Sequence, residues 1–188
     1  MKDHTHPLLN KNLTLVTAVA AAGLWLLAAA EGPPAGLHKA LEPLRPLLGK
    51  TFSGPFRDST PEKPVRDVMK WERILNGQAV RVLHSINQGD YGGETIIRWN
   101  AKAERIEYYY FTTAGFMTQG TMTFAGNKIT SHENVTGNEN GVTEVKATTE
   151  LRPDGGVHTK SMYLKAGQWV GGHEVTYQEA PSATVQFR

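Results

Sequence analysis

The chain has 188 residues, with 20 lysines and arginines against 18 aspartates and glutamates, and it contains no cysteine. That length suits one sizeable domain, and the near-balance of charge, with no block of like sign, excludes the electrostatic footprint of a nucleic-acid-binding protein. Without cysteine there is no disulfide framework, no lipoprotein anchor, no thiolate metal site and no thiol nucleophile.

Residues 13–30, LTLVTAVAAAGLWLLAAA, form an uncharged apolar stretch. Lys2 and Lys11 precede it, and Ala28-Ala29-Ala30 close it before Glu31-Gly32-Pro33-Pro34. Three regions in that order have the form of a secretory signal peptide cleaved near Ala30, which implies a periplasmic or secreted protein. The stretch also sits at the lower edge of what spans a bilayer, so a signal anchor is the rival. Cleavage leaves 18 basic and 17 acidic side chains (20 less two lysines, 18 less one aspartate) and a net charge of +1.

Residues 31–48 read as a linker, EGPPAG, followed by a short helical cap in which Leu37, Leu41, Leu44 and Leu48 recur at helical spacing. Pro43 and Pro46 interrupt a regular helix, so one or two short turns ending at Gly49 are expected. Such a segment suits the end of a barrel.

From residue 49 to 188 the pattern is strand and turn. Asn76-Gly77, Gln88-Gly89-Asp90, Ala125-Gly126-Asn127, Asn138-Glu139-Asn140-Gly141, Pro153-Asp154-Gly155-Gly156 and Ala166-Gly167 are hairpin signals. Between them lie ten segments rich in Thr, Val, Ile, Tyr and Trp, near 50–57, 65–75, 79–87, 92–99, 105–112, 116–124, 128–135, 143–151, 157–164 and 168–178. No helical insertion separates them. A serial antiparallel meander of this kind closes most readily into an all-β, ten-stranded up-and-down barrel, which leaves no exposed edges. A sandwich is the alternative, and it usually needs a longer connection than any seen here.

Side chains alternate faces with period two, so an interior set can be written out. In the second segment Val65, Asp67, Met69, Trp71, Arg73 and Leu75 share the more apolar face; in the third, Val80, Val82, His84 and Ile86 do. The fifth turns Ile106, Tyr108, Tyr110 and Thr112 inward, the seventh Ile129, Ser131, Glu133 and Val135, and the tenth Trp169, Gly171, His173, Val175 and Tyr177. The interior then mixes Arg73, His84, Tyr108, Tyr110, Glu133, His173 and Tyr177 with Met69, Trp71, Phe116, Met122, Phe124 and Trp169. Buried charges and imidazoles cost several kcal/mol unless paired or solvated. A barrel that encloses a cavity satisfies that mixture; a dry core must pair every member. Each residue also has a plainer role, since strand tyrosines commonly anchor at a rim and core histidines are commonly just hydrogen-bonded. Glycine pairs at Gly92-Gly93 and Gly171-Gly172 are natural places for a bulge, which exchanges the faces beyond it.

No nucleophile elbow, HExxH helix, phosphate loop or paired-glycine fingerprint occurs, so no residue set declares a reaction. Asn12-Leu13-Thr14 and Asn134-Val135-Thr136 match the glycosylation pattern and are incidental in a bacterial envelope. A zinc site from His84, His173 and Glu133 depends wholly on tertiary geometry.

The segment LLGKTFSG, residues 47–54, resembles the opening strand of calycin-type barrels, namely lipocalins, fatty-acid-binding proteins and nitrobindin-like haem proteins. Gly49 and Gly54 match, although Phe52 stands where tryptophan is usual. The blocks KPVRDVMKWERILNGQAVRVLHSINQGDYGGETIIRWN, YYYFTTAGFMTQGTMTF, SHENVTGNENGVTEV and GHEVTYQE resemble a group of uncharacterised bacterial exported calycin-like domains. The resemblance implies the fold and no particular activity. Its nitrobindin side implies a haem held through a histidine, with His173 as the position to test; otherwise no cofactor is implied.

The functional expectation is a barrel that binds a small, largely apolar or amphipathic molecule with a polar head. Met69, Trp71, Tyr108, Tyr110, Phe116 and Tyr177 would supply surface, and Arg73, His84, Glu133 and His173 would orient polar atoms. The enzymatic rival uses Glu133 or His84 as a general base. Tyr109 and Phe111 fall on the outer face, under the terminal segment or at a partner surface, so a homodimer through them is the expected association.

Overall fold

The computed structural model describes residues 36–188; the signal-peptide reading of residues 1–30 and most of the linker lie outside them. A 3-10 helix, Lys39–Leu47, precedes ten strands. These are β1 (Thr51–Pro55), β2 (Arg66–Ile74), β3 (Ala79–Ile86), β4 (Tyr91–Asn100), β5 (Arg105–Thr112), β6 (Met117–Ala125), β7 (Lys128–Thr136), β8 (Val142–Leu151), β9 (Val157–Lys165) and β10 (Gln168–Glu179). Each strand pairs antiparallel with its neighbour in sequence, and β1 closes the sheet on β10 through Phe52–Glu179 and Ser53–Gln178. The expected ten-stranded, all-β, up-and-down barrel is therefore what forms, with boundaries within a few residues of the turn signals.

The helix departs from the expected spacing. Leu41, Leu44 and Leu47 are the residues it buries, at 2% exposure or less, while Leu48 is only partly buried. The reason is the helix type. A 3-10 helix has three residues per turn, so the inward face repeats at i, i+3 and i+6, and Pro43 and Pro46 fall together on the exposed side. The proline spacing that breaks an α-helix therefore coincides with the period of the tighter one. His38 caps the start, its Nδ1 accepting from Ala40 N at 3.2 Å, and its own N–H donates to Gly77 O at 2.8 Å, tying the helix to the β2–β3 turn.

The leucines fill one end of the barrel. They pack with Val80, Ile97, Ile106, Ile129 and Val157, all within 6% exposure, and with the partly buried Trp99, Phe124 and Leu151. These residues lie at the helix end of their strands, beside the turns β2–β3, β4–β5, β6–β7 and β8–β9. The opposite half, ringed by the β1–β2, β3–β4, β5–β6, β7–β8 and β9–β10 connections, is hollow.

Two expectations about faces are corrected. Leu75 is 69% exposed because β2 ends at Ile74 and Leu75 enters a left-handed turn with φ +49°. Trp169 lies outside, at 36% exposure, against Lys146 Nζ at 4.3 Å and edge-on to His132. A bulge between Gly171 and Glu174 sets two residues of β10 against one of β9 and exchanges the faces, so that His173, Val175 and Tyr177 face inward while Trp169 does not. On the outer wall the C-terminal residues cover β3 and β4, Gln186 N donating to Ser85 Oγ at 3.0 Å and Phe187 lying against Gly92. Phe111 is half exposed and Tyr109 partly buried, its hydroxyl 3.5 Å from Gln119 Nε2.

Because Leu44 is fully enclosed by this plug, Leu44→Ala should cost about 2–5 kcal/mol. The checking measurement is the midpoint of urea unfolding by far-ultraviolet circular dichroism; a loss near that of an exposed truncation would mean that the end is loosely filled.

Candidate functional site

The hollow half is a cavity of about 600 Å³, inside the range of small-molecule sites. Its lining is mostly apolar, with Met69, Trp71, Val82, Ile97 and Met122 toward the plug and Phe116 toward the mouth. Trp71 Nε1 is the buried side-chain polar atom that has no hydrogen-bond partner among the described residues.

Around the middle runs a belt of polar groups. Asp67 on β2 is 5% exposed. Its Oδ1 lies 3.1 Å from His84 Nδ1 and its Oδ2 accepts from the Tyr177 hydroxyl at 2.7 Å. Past the imidazole, His84 Nε2 is 2.6 Å from the Tyr110 hydroxyl, which donates to the Tyr91 hydroxyl at 2.9 Å. The chain Tyr177–Asp67–His84–Tyr110–Tyr91 thus crosses five strands, β10, β2, β3, β5 and β4. It fixes His84 at both nitrogens and offers a continuous path for a proton to the Tyr91 hydroxyl.

A second group forms on β9 and β10. His173 Nδ1 is 2.7 Å from the Tyr163 hydroxyl and 3.0 Å from Ser161 Oγ, and that serine donates to the His173 carbonyl at 3.1 Å. The ring tilts against Phe56 at 5.7 Å. Its Nε2 has no hydrogen-bond partner among the described residues. Burial holds the His173 imidazole below its ordinary pKa, with His84 adding to that effect and Asp67 opposing it.

Glu133 on β7 is the third. Thr118 Oγ1 donates to its Oε2 at 2.6 Å, and the Tyr108 hydroxyl also favours its ionised form. The residue is partly buried and lines the cavity. Burial raises its pKa, and the two hydroxyls only partly offset that. Burial likewise raises Tyr91, Tyr108, Tyr110 and Tyr177 above the usual phenol value. The three groups share one space, since Asp67 acts electrostatically on Tyr91, Tyr110, Tyr177 and His173, and Glu133 acts on Tyr91, Tyr108 and Tyr110.

Glycines make room for the phenols. A Cβ on Gly120 would stand 2.7 Å from Tyr108 Cζ, and one on Gly93 would run into the Tyr110 ring. Both positions therefore let a tyrosine lie back across the sheet and present its hydroxyl to the cavity.

Of the residues read from the sequence, Met69, Trp71, His84, Tyr108, Tyr110, Phe116, Glu133, His173 and Tyr177 all line the cavity. Arg73 does not. It shares the inward face of β2 but sits past Trp71 toward the plug, its Nε beside Gly77, so it cannot orient a ligand in the cavity. The zinc set of His84, His173 and Glu133 does not assemble either: among the described residues no three His, Cys, Asp or Glu side chains come together for a metal. Sequence reasoning missed Tyr91, Tyr163 and Thr118. Tyr91 starts β4 one residue before the expected boundary and shares a face with Gly93 and Thr95. Tyr163 lies on a strand where both faces are mixed, His158 and Lys160 alternating into Met162 and Leu164, so alternation gives no direction.

The site belongs to a closed antiparallel barrel with an internal cavity. The fold is similar to the crystal structure of Rv2717c from M. tuberculosis, with a TM-score of 0.57 and 15% identity over 77% of this chain and 99% of that one. No protein-family profile matches the chain, and no curated protein matches it in sequence.

The two perturbed groups pull stability in opposite directions with pH. A carboxyl whose native pKa is raised favours the native state while protonated and costs stability once ionised. Glu133→Gln should therefore change the melting temperature little near pH 4 and raise it near about pH 8. A buried imidazole with a lowered pKa costs stability on acidification, so His173→Gln should flatten the fall in melting temperature below about pH 6.5. Differential scanning fluorimetry across that range reads both, and parallel profiles for variants and wild type would contradict them.

Proposed function

We propose that this is an exported barrel protein that holds a small, largely apolar molecule with a polar head inside the barrel. One observation carries the reading: a cavity of about 600 Å³, apolar toward the plug, is ringed by a belt of oriented hydroxyls, imidazoles and carboxyls. A plugged end keeps the apolar body of a ligand dry, while the belt supplies the few placed polar groups that give a pocket orientation. The form of residues 1–30 supports export. The cavity supports binding more than chemistry, because His84, although it lines the space, is occupied at both ring nitrogens by Asp67 and Tyr110.

Native mass spectrometry of protein recovered from its own host reads both parts of the proposal. The expected result is a chain beginning near Glu31 that carries a releasable apolar mass. Ala147 lines the cavity, so Ala147→Trp should obstruct it and weaken binding of an apolar fluorescent dye while leaving the circular dichroism of the barrel intact. A wild-type barrel that is reproducibly empty and takes up no dye would sink the proposal.

A second reading has its own observation behind it. His173 presents Nε2 with no hydrogen-bond partner among the described residues, while Nδ1 is held by Tyr163 and Ser161, the arrangement by which an outer hydrogen bond orients an imidazole ligand. Burial keeps that ring neutral, as ligation requires. These residues fit the axial role that the nitrobindin resemblance assigns to His173, and a haem held there would supply an iron centre for a small ligand. Titration with haem should shift the Soret band for wild type and not for His173→Ala; no shift in either excludes haem.

A further inference from the structure

The reading of the cavity as a ligand site can be taken one step further, to the chemistry of the head group, and the inference rests on that reading. Charge inside the barrel is one-sided. Asp67 and Glu133 both line the cavity, and the single lysine or arginine among the lining residues is Lys165, at the mouth end of β9.

The two carboxyls are not equivalent. Asp67 is engaged at one oxygen by His84 and at the other by Tyr177. Among the described residues the hydrogen-bond partner of the Glu133 carboxyl is a hydroxyl, that of Thr118. His132, the next residue, is exposed and pairs with Glu144 at 2.6 Å. Glu133 is thus a carboxyl on the cavity wall that makes no ion pair with lysine or arginine among the described residues, Lys165 standing at the mouth. The rings of Tyr108, Tyr110 and Tyr91 line the same cavity, the last stacked on Phe116 at 6.5 Å.

We propose that the cavity takes an amphipathic organic ammonium ion, its cationic head on the Glu133 carboxylate among the tyrosine rings and its apolar body against Met69, Trp71 and Met122. An ammonium supplies N–H donors to a carboxylate and replaces the counter-charge that the barrel interior lacks. Aromatic rings add attraction for the same cation and none for an anion. A carboxylate head, in contrast, meets two interior carboxyls and no buried lysine or arginine, so like charge opposes it. An alcohol finds hydrogen bonds and no charge to pair. Fatty acids are therefore the wrong class of ligand for this barrel, and lipophilic amines the right one.

Three probes with one chain, decylammonium, decanol and decanoate, separate these heads at neutral pH by displacement of a bound apolar dye. Decylammonium should bind wild type about tenfold or more tighter than decanol, with decanoate weakest. Glu133→Gln should bring decylammonium to the affinity of decanol and leave decanol unchanged. Decanoate equal to or tighter than decylammonium, or an amine preference that survives Glu133→Gln, overturns the proposal. If the variant fails to fold, the ranking of the three probes on wild type decides it. Failure of all three to bind is a different outcome, since it defeats the cavity reading itself.

Discussion

The constraint on which this structure rests is that a closed barrel must dispose of its interior from both ends. The 3-10 helix disposes of one. Leu41, Leu44 and Leu47 enter the barrel at a period of three and meet aliphatic residues from β3, β4, β5, β7 and β9. Full burial of each such side chain is worth about 1.5–3 kcal/mol, and together they form the dry core of a chain that has no disulfide to hold it. With stability concentrated there, the other half of the barrel is released from the need to pack. Polar groups that no solid core would tolerate all fall in that half.

Those groups stay ordered because each is tied to another. Asp67 and His84 lie on adjacent strands, but Tyr177 and Tyr110 come from strands on either side, so the chain of hydrogen bonds laces the wall across the β1 closure. Leaving a buried polar atom unpaired costs about 1–3 kcal/mol, which makes the network an all-or-none arrangement. Gly93 and Gly120 complete it from below. Side chains there would push Tyr110 and Tyr108 off the sheet, and the hydroxyls would leave their partners.

Fold similarity to Rv2717c at 15% identity establishes the barrel and nothing about what occupies it. The electrostatic inventory of this cavity is two carboxyls, two imidazoles and a ring of phenols, with Lys165 at the mouth and Arg73 removed to the plug.

The sequence by itself determined the strands, their number and their closure, because turn residues and β-branched runs act locally and a ten-strand meander has one economical way to lose its edges. It also determined most of the cavity wall: period-two counting along β2, β3, β5 and β7 placed Met69, Trp71, His84, Tyr108, Tyr110 and Glu133 correctly, since a pleated strand leaves a side chain only two directions. Tertiary structure decided the rest. A bulge at Gly171–Glu174 turned Trp169 out while keeping His173 in, and pairing geometry rather than local pattern sets a bulge. Depth along the barrel axis separated Arg73 from Asp67 on one face, because alternation says which side a residue takes and not how far up it stands. The hydrogen bonds Asp67–His84, His84–Tyr110 and Tyr110–Tyr91 span 17, 26 and 19 positions along the β2–β5 meander, whereas Tyr177–Asp67 joins residues 110 positions apart, and only closure of the sheet through β1 brings that pair within a hydrogen bond.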